Sequence, residues 1–193
     1  MSNNGKKNVV GYLMVRLFIG GVVAAAILGK VDAITAGPIA EQSRLKEENG
    51  MMEVLPDGSD FEIIADSTDD SLAGNSTIEG TTVKKVAKSG AGYVLTVLPG
   101  GFGGDIKMMV GIDNDGVIQG VRILEHAESA GLGAKSTEPE FYTQYDGLSS
   151  GGLAVQKDGG DIVAITGATI TSRAVTSGVN DAYSWFETNG GAF

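Results

Sequence analysis

Four short apolar segments, Val83–Ala87, Tyr93–Leu98, Ile106–Ile112 and Val117–Leu124, constrain this chain most. Each is rich in β-branched or aromatic residues and is bounded by glycine or aspartate, the pattern of successive strands. Asp113-Asn114-Asp115-Gly116, between the last two, reads as a hairpin turn. A four-stranded antiparallel meander is the predicted assembly. Further on, Val175, Val179, Ala182, Tyr183 and Phe186 recur at helical spacing, and Asn189-Gly190-Gly191 closes that helix. The predicted fold class is α+β: an antiparallel sheet domain with packed helices, preceded by one N-terminal transmembrane helix.

The transmembrane expectation rests on Val9–Leu28, an apolar run with one charge, Arg16, and long enough as a helix to cross a bilayer core. Arg16 lies in its N-terminal half and can snorkel toward that face. Lys6 and Lys7 place the N-terminus in the cytoplasm. Gly20-Gly21 and Ala24–Ala26 supply the small residues that favour contacts with other membrane helices. A cleaved signal peptide is the competing reading, with Lys6, Lys7 and Arg16 as its basic region and Leu17–Leu28 as its apolar region. A pilin-like protein is a third, but the run lacks an acidic residue near its start.

All 24 acidic residues lie beyond residue 31, whereas Lys6, Lys7, Arg16 and Lys30 precede it. An acidic domain of this kind repels nucleic acid, and nucleic-acid binding is set aside. The predicted organisation is a cytoplasmic N-terminus over 1–8, a transmembrane helix over 9–29, a juxtamembrane helix and linker over 30–55, and an extracytoplasmic domain over 56–193. Ile34–Asn49 reads as the juxtamembrane helix, ended by Gly50. From Pro56 to Gly80 a loop-rich connection holds one short strand, Phe61–Ala65.

Cysteine is absent, which excludes disulfides, thiolate zinc sites and cysteine-ligated iron–sulfur clusters. One histidine, His126, excludes a histidine-rich metal site. Asp113, Asn114 and Asp115 do not make a calcium loop, because no glutamate closes it and a strand follows too soon. No metal ligands and no catalytic residues are assigned. His126 reads as a surface or hydrogen-bonded histidine. Tyr93, Phe102, Tyr142 and Trp185 read as core, and the Asp69–Asp70 and Asp158–Asp161 clusters as solvated turns.

The chemistry concentrates at Thr166-Gly167-Ala168-Thr169-Ile170-Thr171-Ser172, between an apolar strand, Ile162–Ile165, and the last helix. Capping explains one or two of these four hydroxyls. Unpaired N–H groups and the helix dipole favour an anion at such a corner. Gly167 and Ala168 permit close backbone approach, so a phosphate-bearing ligand is a sensible guest.

This corner resembles the Ser/Thr-Gly-Ala-Thr-x-Thr/Ser motif of the FMN-binding domain family. Glu128-Ser129-Ala130-Gly131-Leu132-Gly133 is similar to the family's Glu-Thr-Pro-Gly-Leu-Gly, and Gly101-Phe102-Gly103-Gly104 to its Gly-Tyr-Gly-Gly. With the N-terminal anchor, the resemblance covers nearly the whole chain. Ser129 and Ala130 depart from the usual threonine and proline, and Val163 stands where many members carry an aspartate. Of the family's members, the chain resembles the G subunit of the Rnf ferredoxin:NAD⁺ oxidoreductase complex more than the C subunit of the Na⁺-translocating NADH:quinone reductase.

The resemblance implies FMN esterified through its phosphate to Thr169 by a flavin transferase. Thr166, Gly167, Ala168, Ile170, Thr171 and Ser172 would hold the phosphate, with the Thr166 and Thr171 hydroxyls as donors. Glu128, Ser129, Gly131, Leu132 and Gly133 would pack on the flavin ring. It also implies a relay rather than a catalyst by itself, working in a complex coupled to ion translocation, with iron–sulfur and second-FMN subunits and the lipid bilayer as partners. A non-redox phospholigand module and a structural surface protein remain as alternatives.

Overall fold

A computed structural model of the chain describes residues 14, 16–22, 25, 30, 41–69, 71–72 and 74–190. It divides into two units, Met1–Leu45 and Lys46–Phe193. In the first, the described residues before residue 31 are helical. No helix among the described residues is long and apolar enough to cross a membrane. Much of the predicted span, the start of the predicted juxtamembrane helix, Asp70 and Gly191 lie outside the described residues.

The second unit is built on one sheet of five antiparallel strands in sequence order. They are β1 (Glu62–Asp66), β2 (Val83–Ser89), β3 (Gly92–Val97), β4 (Lys107–Asp113) and β5 (Ile118–Glu125). The expected four-stranded meander is therefore one strand short. The short strand expected at Phe61–Ala65 joins the sheet and pairs along β2, from Glu62 opposite Lys88 to Asp66 opposite Lys85, with a bulge between Ile63 and Ala65.

Both faces of the sheet are covered. Helix α3 (Thr169–Asn189) lays Val175, Val179, Ala182 and Trp185 against Leu95, Val97, Met108 and Val110 on one face. On the other, residues 46–54 of helix α1 (residues 41–54) bring Met51 and Val54 onto Val94 and Met109. This explains why β3 is buried along its whole length and reads as continuous rather than alternating hydrophobicity. Phe186, expected in the α3 stripe, is half-buried at its edge.

Helix α1 does not stop at Gly50 as expected. Gly50 is buried inside the helix, and a Cβ there would come within 3.0 Å of Met109 Sδ. Its small size serves close packing on the sheet rather than termination. Gly111 and Gly120, paired across β4 and β5, extend the same contact, since a Cβ on either would meet the backbone of Val54. Glu47 adds a polar clasp, accepting from Lys107 at 2.7 Å and from Lys85 at 3.0 Å. Lys85 also reaches Asp66 at 3.2 Å.

Asp113 accounts for the β4–β5 hairpin. Its carboxylate accepts from the N–H groups of Asp115 and Val117 and from Gln119 Nε2. Gly116 adopts the left-handed φ of 80° that the turn requires. The aspartate oxygens thus serve the turn.

Between β5 and α3 the chain is a series of short turns around helix α2 (Pro139–Tyr142). Ile162–Ile165 is not the strand expected. Only Ile162 makes a bridge, parallel to Val155, and Val163 is 54% exposed. Side chains take the place of a neighbouring strand. Gln144 accepts from Val163 N at 2.7 Å and donates to Val163 O at 3.2 Å. Asn180 holds both backbone groups of Leu153 in the same way.

Candidate functional site

Thr166-Gly167 turn the chain from this extended strap into α3. Gly167 takes a φ of 79°, open to glycine at little cost, and a Cβ there would come within 3.0 Å of Leu132 Cδ2. The residue before the helix is Ala168, which has no side chain to cap it. Capping, expected for one or two of the four hydroxyls, is therefore done by none of them.

Each hydroxyl has another place. Ser172 Oγ is fully buried, accepts from Ile165 N at 2.9 Å and donates to Ala168 O at 3.0 Å, so it ties the strap to the helix. Thr171 Oγ1 donates to Glu128 Oε2 at 2.5 Å. Its proton is committed there, which removes it from the donors expected for a phosphate. Thr166 is exposed and lines a neighbouring depression with Phe141, Gln144 and Val163. Thr169 Oγ1 accepts from Lys157 Nζ at 2.9 Å. The first i to i−4 bond of α3 runs from Ser172 N to Ala168 O, so the N–H groups of Thr169, Ile170 and Thr171 precede the helical ladder.

Glu128 joins the three glycine-containing motifs. Its Oε1 accepts from Gly103 N at 2.9 Å, and its Oε2 from the Thr171 hydroxyl. A Cβ on Gly101 would meet Oε1, and one on Gly133 would meet both Oε2 and Thr171 Oγ1. These glycines make room for one buried carboxylate. Burial raises the Glu128 pKa, but the donors from Thr171, Gly103 and Phe102, with His126 nearby, outweigh burial and hold it below the ordinary carboxylate value. His126 Nδ1 separately accepts from Glu128 N at 3.2 Å.

Above this junction lies a cavity of about 310 Å³. Glu128, Ser129, Leu132 and Gly133 form one wall, and Gly167 to Thr171 the other, with Phe102 at its edge. Phe102 is 68% exposed, so it is not the core residue expected; it lines the cavity instead. Leu132 and Ile170 are also exposed large apolar side chains. Tyr93 and Trp185 are buried as expected, in edge contact with each other. Tyr142 is half-buried, with the Arg122 guanidinium over its ring.

Of the expected site residues, Gly131, Thr166 and Ser172 do not line the cavity. Gly131 shapes its loop with a φ of 75°. Lys157 is the residue that sequence reasoning missed. It immediately precedes the expected acidic turn, and nothing in its spacing marks it. Asp158 is no merely solvated side chain either, since Arg173 holds it at 2.6 Å through two nitrogens. Among the described residues no cluster suits a metal ion.

An apolar cavity, a helix start with leading N–H groups and a lysine at one hydroxyl together suit a ligand with a flat ring and an anionic end. That is the class of the FMN-binding domain, whose family model matches residues 101–184. The chain is 34% identical to the G subunit of the ion-translocating oxidoreductase complex of Methanosarcina acetivorans, over 86% of this chain and 91% of that protein. It is 36% identical to the G subunit of the Na⁺-translocating ferredoxin:NAD⁺ oxidoreductase complex of Acetobacterium woodii, over 89% of each. The crystal structure of Shewanella oneidensis NqrC is similar over 74% of each chain, at 20% identity and a TM-score of 0.44. The chain belongs to the G-subunit family of ion-translocating oxidoreductase complexes.

Proposed function

We propose that the chain is the electron-carrying G subunit of an ion-translocating ferredoxin:NAD⁺ oxidoreductase complex, and that it relays electrons through FMN held by a phosphoester to Thr169. The observation that carries this reading is the convergence of Phe102, the Glu128–Gly133 loop and Gly167–Thr171 on one cavity, with Thr169 on its lining.

The donor set fits the cofactor. Thr169, Ile170 and Thr171 supply leading N–H groups, and Lys157 supplies a positive charge at the attachment oxygen. Phe102, Leu132 and Ile170 supply apolar surface for the ring. FMN, when bound, supplies the electron chemistry. The chain's residues would hold its phosphate end and line the cavity around it, with the Glu128 carboxylate buried and paired in the cavity wall. A charge placed there disfavours a further negative charge on the ring, and the donors around it moderate that effect.

Val9–Leu28 would anchor the chain, with residues 1–8 in the cytoplasm and the 56–193 domain on the outer face. Its apolar length and the basic residues before it support this. Covalent attachment suits that location, because a free nucleotide would be lost by dilution. Other membrane and peripheral subunits, iron–sulfur and second-FMN proteins among them, and a flavin transferase are the partners this reading requires. A denaturing gel under ultraviolet light tests it. The chain from cells with an active flavin transferase gives a fluorescent band; a dark band leaves a non-redox binding module or a structural surface protein.

A further inference from the structure

The turn Gln156–Asp158 touches α3 at two points. Lys157 Nζ donates to Thr169 Oγ1 at 2.9 Å, and one turn along the helix Arg173 grips Asp158 through two nitrogens at 2.6 Å. The turn's backbone is fixed as well. Gln156 N donates to Ile162 O at 2.8 Å, and Gly160 N to Val155 O at 3.2 Å. The base of the Lys157 side chain is therefore anchored to the strap that leads into the site. Asp158, the adjacent carboxylate, is engaged by Arg173, and Lys157 makes no ion pair among the described residues. Its ammonium points instead at a neutral hydroxyl, the oxygen to which the phosphate would be joined.

We propose that Lys157 is the positioning cation for a phosphate group carried by Thr169; the inference rests on the flavin reading above. A phosphodiester at Thr169 holds one negative charge at neutral pH. Esterification puts its free oxygens two bonds beyond the atom that Lys157 already contacts. The neutral contact then becomes a charge-assisted one, and lysine, a compact point charge, suits phosphate oxygens. The leading N–H groups of α3 would favour the same charge. Thr171 cannot take this role, because its hydroxyl is committed to Glu128.

The test uses the full chain in detergent with its flavin transferase, comparing wild type, Lys157→Gln and Lys157→Arg. Covalent loading is followed over time by in-gel fluorescence and by intact mass, at low and high salt. Lys157→Gln is expected to load about threefold to tenfold more slowly at low salt, with the gap narrowing at high salt because an exposed charge is screened. Lys157→Arg restores most of the rate. Lys157 is exposed, so the unloaded Lys157→Gln chain melts with the wild type, which separates loading from folding. Equal loading of wild type and Lys157→Gln at both salts overturns this inference alone, as does a deficit that neither salt nor arginine changes. A wild-type chain that stays unloaded overturns the flavin reading and this inference with it.

Discussion

The Thr171 hydroxyl donates to Glu128 Oε2 at 2.5 Å, a buried bond between the first turn of α3 and a loop 43 residues earlier in the chain. Removing the hydroxyl alone strands a buried carboxylate oxygen, which costs about 1–3 kcal/mol. Thr171→Val is therefore expected to lower the melting temperature by several degrees. The attachment oxygen on Thr169 is untouched, so the variant still yields a fluorescent band. Thermal melts and the denaturing gel read the two effects separately.

Glu128 also gives the fold a pH dependence. Its folded pKa lies below the ordinary carboxylate value, because donors outweigh burial. The folded state then binds the proton less readily than the unfolded one. The stabilisation is fully present above the unfolded carboxylate pKa of about 4.3 and is lost as pH falls through the lower folded value. Denaturation midpoints across this acid range should fall less steeply in Glu128→Gln than in the wild type, whatever the variant loses at neutral pH.

Two glycines of one loop separate packing from backbone conformation. A Cβ on Gly133 would press on Glu128 Oε2 and lie 2.6 Å from Thr171 Oγ1, whereas one on Gly131 meets open space. Gly131→Ala pays only for the left-handed φ, about 1–2 kcal/mol. Gly133→Ala splits the Glu128–Thr171 pair and is expected to cost about 1–3 kcal/mol through overpacking. Only Gly133→Ala should also raise the pKa of Glu128, measurable by carboxyl-carbon NMR titration.

On the opposite face, Gly111 lets α1 approach the sheet, since a Cβ there would meet Val54 O and C. Gly111→Ala should lower stability by about 1–3 kcal/mol. Gly90→Ala, at a loop position with nothing within 4 Å, serves as the control and should change little. Urea denaturation of the two variants checks the difference.

The sheet was legible because its strands alternate or run continuously apolar between turn residues, and Asp113–Gly116 names its own hairpin. The fifth strand was legible as a short strand at Phe61–Ala65, but its place in the sheet was not, because β1 is bulged and half-exposed and a long loop-rich connection separates it from β2. Ile162–Ile165 misled in the opposite direction: its β-branched residues look like a strand, yet Gln144 satisfies the backbone from a side chain. Gly50 read as a stop because glycine usually ends helices, whereas here close packing on Met109 decides. At the site, the resemblance pointed to the segments that converge on the cavity but could not divide the labour among Thr166, Thr169, Thr171 and Ser172. That division depends on contacts to Glu128, Ile165 and Lys157, which no local spacing encodes.

The most direct test of the whole account is the intact mass of the full-length chain, purified from cells with an active flavin transferase, beside its Thr169→Ala variant. The wild type should exceed its sequence mass by FMN less one water, and the variant should match its bare sequence mass. A wild-type chain at bare sequence mass, or a Thr169→Ala chain that still carries the added mass, would contradict it.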